Sequence, residues 1–398
     1  MPTLVCGLEC GIVTSGGAAA LTNRHWSSTV GTPAIETTVV KDGARSVSFN
    51  APSTYFELDP LSMTVCWLAC DVNIDVLPTT NPIRIFQPNN TGVSDLLITI
   101  GTTGVVNATK GASSVNGPTI AANTWWGLEV QDDVSVTPSI SKWRTRSPTG
   151  VWTDWANVSL AQAISNFDNG ILVGQVNSLT TGSKVRLDNI KMGWGTTPNA
   201  DWSDTRPRDS KVLRLRPTSD GVHSFTAGDF GYDTAGANVL TSDTGVWAFV
   251  DDDDQTSITD GILIRQIVIN AAGRVAVRFA DTVETNIGAV AVTSTHHSST
   301  AAANTMSLRV SDNNWAAETA VWALLSCPTT TAQYLHAILA APASGGAWTM
   351  EKLNSTEARW GYSTDVTPLP YWDSVSIEYE VLTSLPTMRP IYPQLLPS

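Results

Sequence analysis

Short runs rich in Val, Ile and Thr recur along the whole chain, each broken within about a dozen residues by Gly, Pro, Asn or Asp. Such spacing leaves little room for helices and points to antiparallel sandwiches or barrels. Alternation is clear in Arg45-Ser46-Val47-Ser48-Phe49, which places Val47 and Phe49 on one face. It returns in Ser62–Leu68, Asp95–Ile100 and Trp126–Val130, and in Lys184–Met192, where the phase shifts at Asp188-Asn189 as a β-bulge requires. A short helix is expected only near Leu160–Ile164.

At 398 residues the chain exceeds one ordinary core and suits two domains. The turn-rich stretch from Gly195 to Asp209 is poor in apolar residues, so the sequence predicts one sandwich over 1–204 and a second over 205–383. In the second, Lys211–Arg216 reads as a strand stopped by Pro217. Ile262–Ile269 reads as the partner of Arg274–Phe279 in a hairpin across Asn270–Gly273. Val290–Thr293, Met306–Val310 and Leu335–Leu339 continue the series. In the last strand, Trp372–Val381, the residues Val375, Ile377, Tyr379 and Val381 should point inward. Over 384–398, Pro386, Pro390, Pro393 and Pro397 predict an extended C-terminal arm. The expected fold class is therefore all-β, two tandem antiparallel β-sandwich domains of jelly-roll, lectin-like type with a Pro-rich arm.

Charge excludes one large class of function. The net charge is −13, from 36 acidic and 23 basic residues, so a phosphate backbone is repelled and nucleic acid is not an expected partner. No run of about 20 apolar residues is present to cross a bilayer as a helix. The opening Met1-Pro2-Thr3-Leu4-Val5-Cys6 lacks a signal-peptide pattern, so synthesis in the cytoplasm is expected.

Candidate chemistry is sparse. Cys6 with Cys10, and Cys66 with Cys70, each share strand parity, and on adjacent strands the four would approach a zinc tetrahedron. A four-residue step along a strand spans about 13 Å, however, so buried core thiols are the preferred reading. Cys6–Cys70 or Cys10–Cys66 bridges remain conceivable. The run Asp251–Asp254 offers oxygen ligands without the spacing of a calcium loop, and Asp188 or Asn189 is a comparable calcium candidate. His296 and His297 are adjacent, so on a strand they face opposite ways and share no metal. His25, His223 and His336 have no partner at a recognisable spacing. Gly-x-Ser-x-Gly, His-Glu-x-x-His and the phosphate-binding Gly-x4-Gly-Lys pattern are missing. Glu378 and Glu380 flank Tyr379 but belong on the solvent face of the last strand. No catalytic residue, metal or cofactor is therefore expected. Among 15 tryptophans, Trp143, Trp152 and Trp155 cluster with Arg144, Arg146 and Asp154 and form the candidate ligand site, a glycan platform.

Several segments resemble structural proteins of tailed phages. Cys6-Gly7-Leu8-Glu9-Cys10-Gly11 resembles the opening of minor tail and virion proteins of lectin-like jelly-roll type. Trp125-Trp126 before Leu128-Glu129-Val130, then Val185–Ile190, is similar to strands of laminin-G and concanavalin-like sandwiches. Leu213–Gly221, the acidic Val250–Asp254 segment and Trp360–Asp365 resemble a module of the same phage proteins. The resemblance implies a minor tail or capsid-associated virion protein that works by oligomerisation, a trimer first, and by docking to other virion proteins. The alternative is recognition of a host-surface glycan by the same particle.

Overall fold

The structure, a computed structural model, describes residues 3–6, 28–42, 45–58, 63–88, 96–160, 167, 170–177, 182–196, 210–225, 229–232, 238–239, 244–250, 264–266, 273–298, 304–327, 333–339, 341–362 and 370–382. Among them the protein is all-β with one short α-helix, Met350–Asn354, and a 3-10 turn at Val246–Phe249. The strands form four sheets, and the paired strands run antiparallel. Strands between Thr3 and Gly195 build an eight-stranded and a seven-stranded sheet. Strands between Ser210 and Leu382 build a further pair, of seven and five strands. The expected Pro-rich arm and the break at 197–209 lie outside the described residues, as do most of the Leu160–Ile164 segment and the Asp251–Asp254 run.

Alternation builds the first sandwich. At the centre of the eight-stranded sheet, Val65–Ile74 pairs with Trp126–Asp133 on one side and Val185–Gly195 on the other. Cys66, Leu68, Cys70 and Val72 face the core beside Leu128, Val130, Ile190 and Met192. Ile85, Phe86, Ile98, Ala108 and Val173 meet them from the facing sheet. Each large side chain buried this way contributes about 1.5 to 3 kcal/mol. One ion pair crosses that core. Lys110 Nζ reaches Asp132 Oδ1 at 2.6 Å and Ser141 Oγ at 2.9 Å, with the lysine fully buried.

The second sandwich centres on Pro370–Leu382, where Val375, Ile377, Tyr379 and Val381 point inward as the alternation predicts. The Trp360 and Trp372 rings stack between its two sheets, 5.7 Å apart. Among the described residues the expected hairpin of Ile262–Ile269 with Arg274–Phe279 is not found. Ile264–Gln266 pairs with Pro370–Leu382 in one sheet, and Val275–Phe279 pairs with Glu357–Tyr362 in the other. Val275, Val277 and Phe279 bury in the core of the sandwich, so Ile264–Gln266 and Val275–Phe279 belong to different sheets and are not paired with each other.

A second correction concerns the outer faces. Glu378 and Glu380, expected in solvent, are 2% and 3% exposed. The strands Thr3–Cys6 and Val185–Gly195 of the first sandwich pack against Ser210–Leu215, Ile287–Ser298 and Pro370–Leu382 of the second, so two polar faces cover each other. The bulge expected at Asp188-Asn189 is present as a register shift between Asp188 and Lys191, with Asn189 at φ 50°. That left-handed residue turns its amide to both sides. Its Nδ2 donates to Asp71 Oδ2 at 2.9 Å and to Asp42 Oδ2 at 2.7 Å. Its Oδ1 accepts from Val212 N at 2.8 Å, on the first strand of the second sandwich. Asp188 beside it accepts from the backbone N–H groups of Lys41, Asp42 and Asn189. Burial pushes the Lys191 ammonium down, against the pull of Glu380, Asp71 and Glu129.

Burial also pushes the Asp188 carboxyl up to about 8, outweighing its three N–H donors. The folded state then binds more protons than the unfolded state between the ordinary value of 3.8 and about 8. This contribution to stability is full below the ordinary value and is lost as pH rises through about 8. Urea midpoints should therefore fall across that window, and Asp188→Asn should flatten the fall. An unchanged slope in the variant would contradict the assignment.

Candidate functional site

The hairpin after Ser139–Arg146 carries the candidate tryptophans, and the sheet separates them. Ser147-Pro148-Thr149-Gly150 has proline second and glycine last, the pattern of a type I turn. The turn closes through Gly150 N to Ser147 O at 2.9 Å. Side chains alternate along Ser139–Arg146, so Trp143 points into the core at 1% exposure while Arg144 and Arg146 point out. Gly117 makes room for the inward ring, because a Cβ there would lie 2.1 Å from it. Trp143 is thus a core residue on the opposite face from Trp152 and Trp155 and cannot share a surface with them, contrary to the expected clustering of the three.

Trp152 and Trp155 are half-buried and share the Arg144 guanidinium. Its central carbon lies 4.7 Å from the Trp152 ring and 4.4 Å from the Trp155 ring. Arg144 Nε donates to the buried Glu129 at 2.6 Å, which fixes the cation between the rings and the sheet. Trp152 bridges to Arg146, whose guanidinium carbon is 5.6 Å from the same ring. Arg146 Nη2 donates to Asp71 Oδ1 at 2.5 Å, which joins this patch to the Asn189 network. Gly127 lets Arg146 and Trp152 lie flat on the sheet, since a Cβ there would come within 2.8 Å of Arg146. Asp154, between Trp152 and Trp155 in the sequence, is exposed.

Beside this patch opens a cleft of about 330 Å³, lined by Lys41, Trp125, Arg146, Ser147, Pro148 and Gly150. It sits at the small end of ligand-pocket volumes. The Lys41 segment is held there by its backbone N–H on Asp188. An aromatic wall and two cations suit the face and substituents of a polar ligand. The neighbouring carboxylates Asp71 and Glu129 are both ion-paired, a poor arrangement for general acid–base work.

The remaining candidates disperse. Cys66 and Cys70 face the core together, and burial pushes both thiols up, so neither is a ready nucleophile or ligand. The strands Thr3–Cys6 and Val65–Ile74 flank Val185–Gly195 on opposite sides, so the Cys6 and Cys66 strands are not neighbours. Cys10 and His25 lie outside the described residues. His223 Nδ1 accepts from Ala276 N at 2.9 Å, and His296 is buried within its strand. Among the described residues no group of three or more His, Cys, Asp or Glu is placed to hold a metal ion. Sequence reasoning missed Lys41 and Asp71 and read Trp125 only as part of the fold. Nothing local marks them, because the hairpin that gathers them is distant in sequence from residues 41 and 71.

No family model matches the chain, and no curated protein does. Solved structures similar to it include the cellulose-induced protein Cip1, at 15% identity and a TM-score of 0.31, covering 41% of this chain and 85% of that one. A family 7 alginate lyase in complex with substrate matches at 15% identity and a TM-score of 0.32, covering 46% of this chain and 100% of that one. The receptor-binding domain of botulinum neurotoxin type G matches at 11% identity and a TM-score of 0.30, covering 63% of this chain and 70% of that one. These similarities are distant and carry no argument about activity.

Proposed function

We propose that the protein is a non-catalytic structural component of a tailed-phage virion, a rigid brick of lectin-like jelly-roll domains that oligomerises and docks to other virion proteins. The observation that carries this reading is the use of the outer face of the eight-stranded sheet. The part of that polar face at Thr3–Cys6 and Val185–Gly195 is covered by the second sandwich, and the carboxylates Asp71, Glu129 and Asp188 are committed to ion pairs and backbone N–H groups. Charges fixed in this way brace one domain on another, and they leave no acid–base pair open to a substrate. The order of phage-like segments along the sequence supplies the virion context. Quantitative mass spectrometry of purified particles should find the chain at a fixed copy number, a multiple of three if it assembles as a trimer. Clean particles without it, with the protein free in the lysate, would overturn this reading.

The half-exposed Trp152, Trp155 and Arg144 group beside the open cleft favours a second role on the same particle, contact with a host-surface glycan. Aromatic faces stack on sugar rings, and Trp152 is held ready by two arginines. Calorimetric titration with host-envelope oligosaccharides should give saturable binding that Trp152→Ala weakens about tenfold, the loss of one ring contact of ~1.4 kcal/mol. Equal binding by the variant would remove this site from consideration.

A further inference from the structure

We infer that the glycan met by the first sandwich is an acidic one, with a carboxylate or sulfate ester seated in the cleft on Lys41 while a neighbouring sugar ring lies on Trp152; this rests on the glycan reading of the same surface and adds the class of sugar. The cleft wall carries two cations, Lys41 and Arg146, and no carboxylate among the described residues, in a chain whose net charge is −13. The carboxylates around it are taken up by other donors. Asp42 Oδ2 accepts from Asn189 Nδ2 at 2.7 Å, and Asp71 accepts from Arg146 Nη2 at 2.5 Å and from Asn189 Nδ2 at 2.9 Å. Asp188 Oδ2 accepts the backbone N–H groups of Lys41 and Asp42. Lys41 itself is exposed, and among the described residues its side chain makes no ion pair or hydrogen bond.

The two cations offer different things. Arg146 is committed to Asp71 and to the Trp152 ring, so it forms a fixed wall shared by the cleft and the tryptophan surface. Lys41 is a point charge on a flexible four-carbon stem, and only its root is held, by backbone N–H groups on Asp188 Oδ2 at 2.9 and 3.2 Å. The turn that lines the same cleft is closed by Gly150 N on Ser147 O at 2.9 Å, and Ser147 Oγ accepts from Val151 N at 3.2 Å. Half-buried Trp125 adds an aromatic wall. A neutral sugar would leave the Lys41 ammonium in water, whereas an anionic substituent in the cleft pairs with it. The volume of about 330 Å³ suits a sugar residue and not a long segment of chain. Cations around an opening also draw in a ligand of opposite charge.

Calorimetric titration of the full chain at matched ionic strength tests this with three tetrasaccharides. They are tetragalacturonate, its fully methyl-esterified and so neutral counterpart, and a κ-carrageenan fragment whose only charge is sulfate. Wild type should bind at least one acidic probe about fivefold tighter than the neutral ester, the scale of one exposed ion pair, and added salt should shrink the preference. Lys41→Gln should cut the preference to about twofold or less, and Lys41→Glu should reverse it. Both variants should melt as wild type does, because the fold uses only the backbone of Lys41. Preference for tetragalacturonate alone assigns the cleft to a carboxylate, and preference for the carrageenan fragment alone assigns it to a sulfate ester. Equal binding of acidic and neutral sugars would overturn the acidic class and leave glycan recognition standing. A preference kept in full by Lys41→Gln would overturn the role of Lys41. No saturable binding of any of the three would remove the acidic class together with the glycan reading.

Discussion

Two polar sheet faces are buried against each other, and the rest of the architecture is arranged around making that tolerable. Burying a charge without partners costs several kcal/mol, and a sheet face turned to another domain cannot turn to water. The bulge at Asn189 meets this constraint. Its left-handed backbone directs one amide toward Asp71 and Asp42 in the first sandwich and Val212 in the second. Asp71 is also bound by Arg146, so the hairpin with Trp152 rests on the residues that join the domains. The interface and the candidate ligand surface form one continuous polar network.

Charge on the two sandwiches is consumed differently. On the first sandwich Asp71, Glu129 and Asp188 are each engaged by cations or backbone N–H groups, and Lys191 is buried among Glu380, Asp71 and Glu129. A sheet face organised this way ties the two sandwiches together at Asn189 and Val212 and holds Trp152 and Trp155 against Arg144. The second sandwich differs, because on its five-stranded sheet Arg309 and Arg359 stand opposite each other, Arg309 paired with Glu318 and Arg359 bound to the Val222 carbonyl.

Much of the fold was legible in alternation because one face of each sheet enters an apolar core. Val47 with Phe49, Cys66 with Cys70, and the inward series of the last strand all fall where period two puts them. The bulge was legible as a phase shift because it moves hydrophobic residues to the other parity. The outer faces were not legible in the same way. Glu378 and Glu380 look like solvent residues to any pattern rule, since a polar face buried by a second domain and one exposed to water have the same local sequence. The hairpin at 262–279 misled because a turn-like segment does not say whether the chain stays in its sheet or crosses the sandwich. Parity along Ser139–Arg146 already separates Trp143 from Arg144 and Arg146, whereas simple clustering of tryptophans does not.

The central claim, that a buried polar contact unites the two sandwiches, is tested most directly by a double-mutant cycle on Lys191 and Glu380. Lys191→Met or Glu380→Gln alone should lower the unfolding free energy by about 1 to 3 kcal/mol, because each takes one counter-charge from a buried group that keeps its other partners. The double variant should lose clearly less than the sum of the two. Additive losses would mean that the two residues do not share an interface, and would contradict this account of how the domains are held.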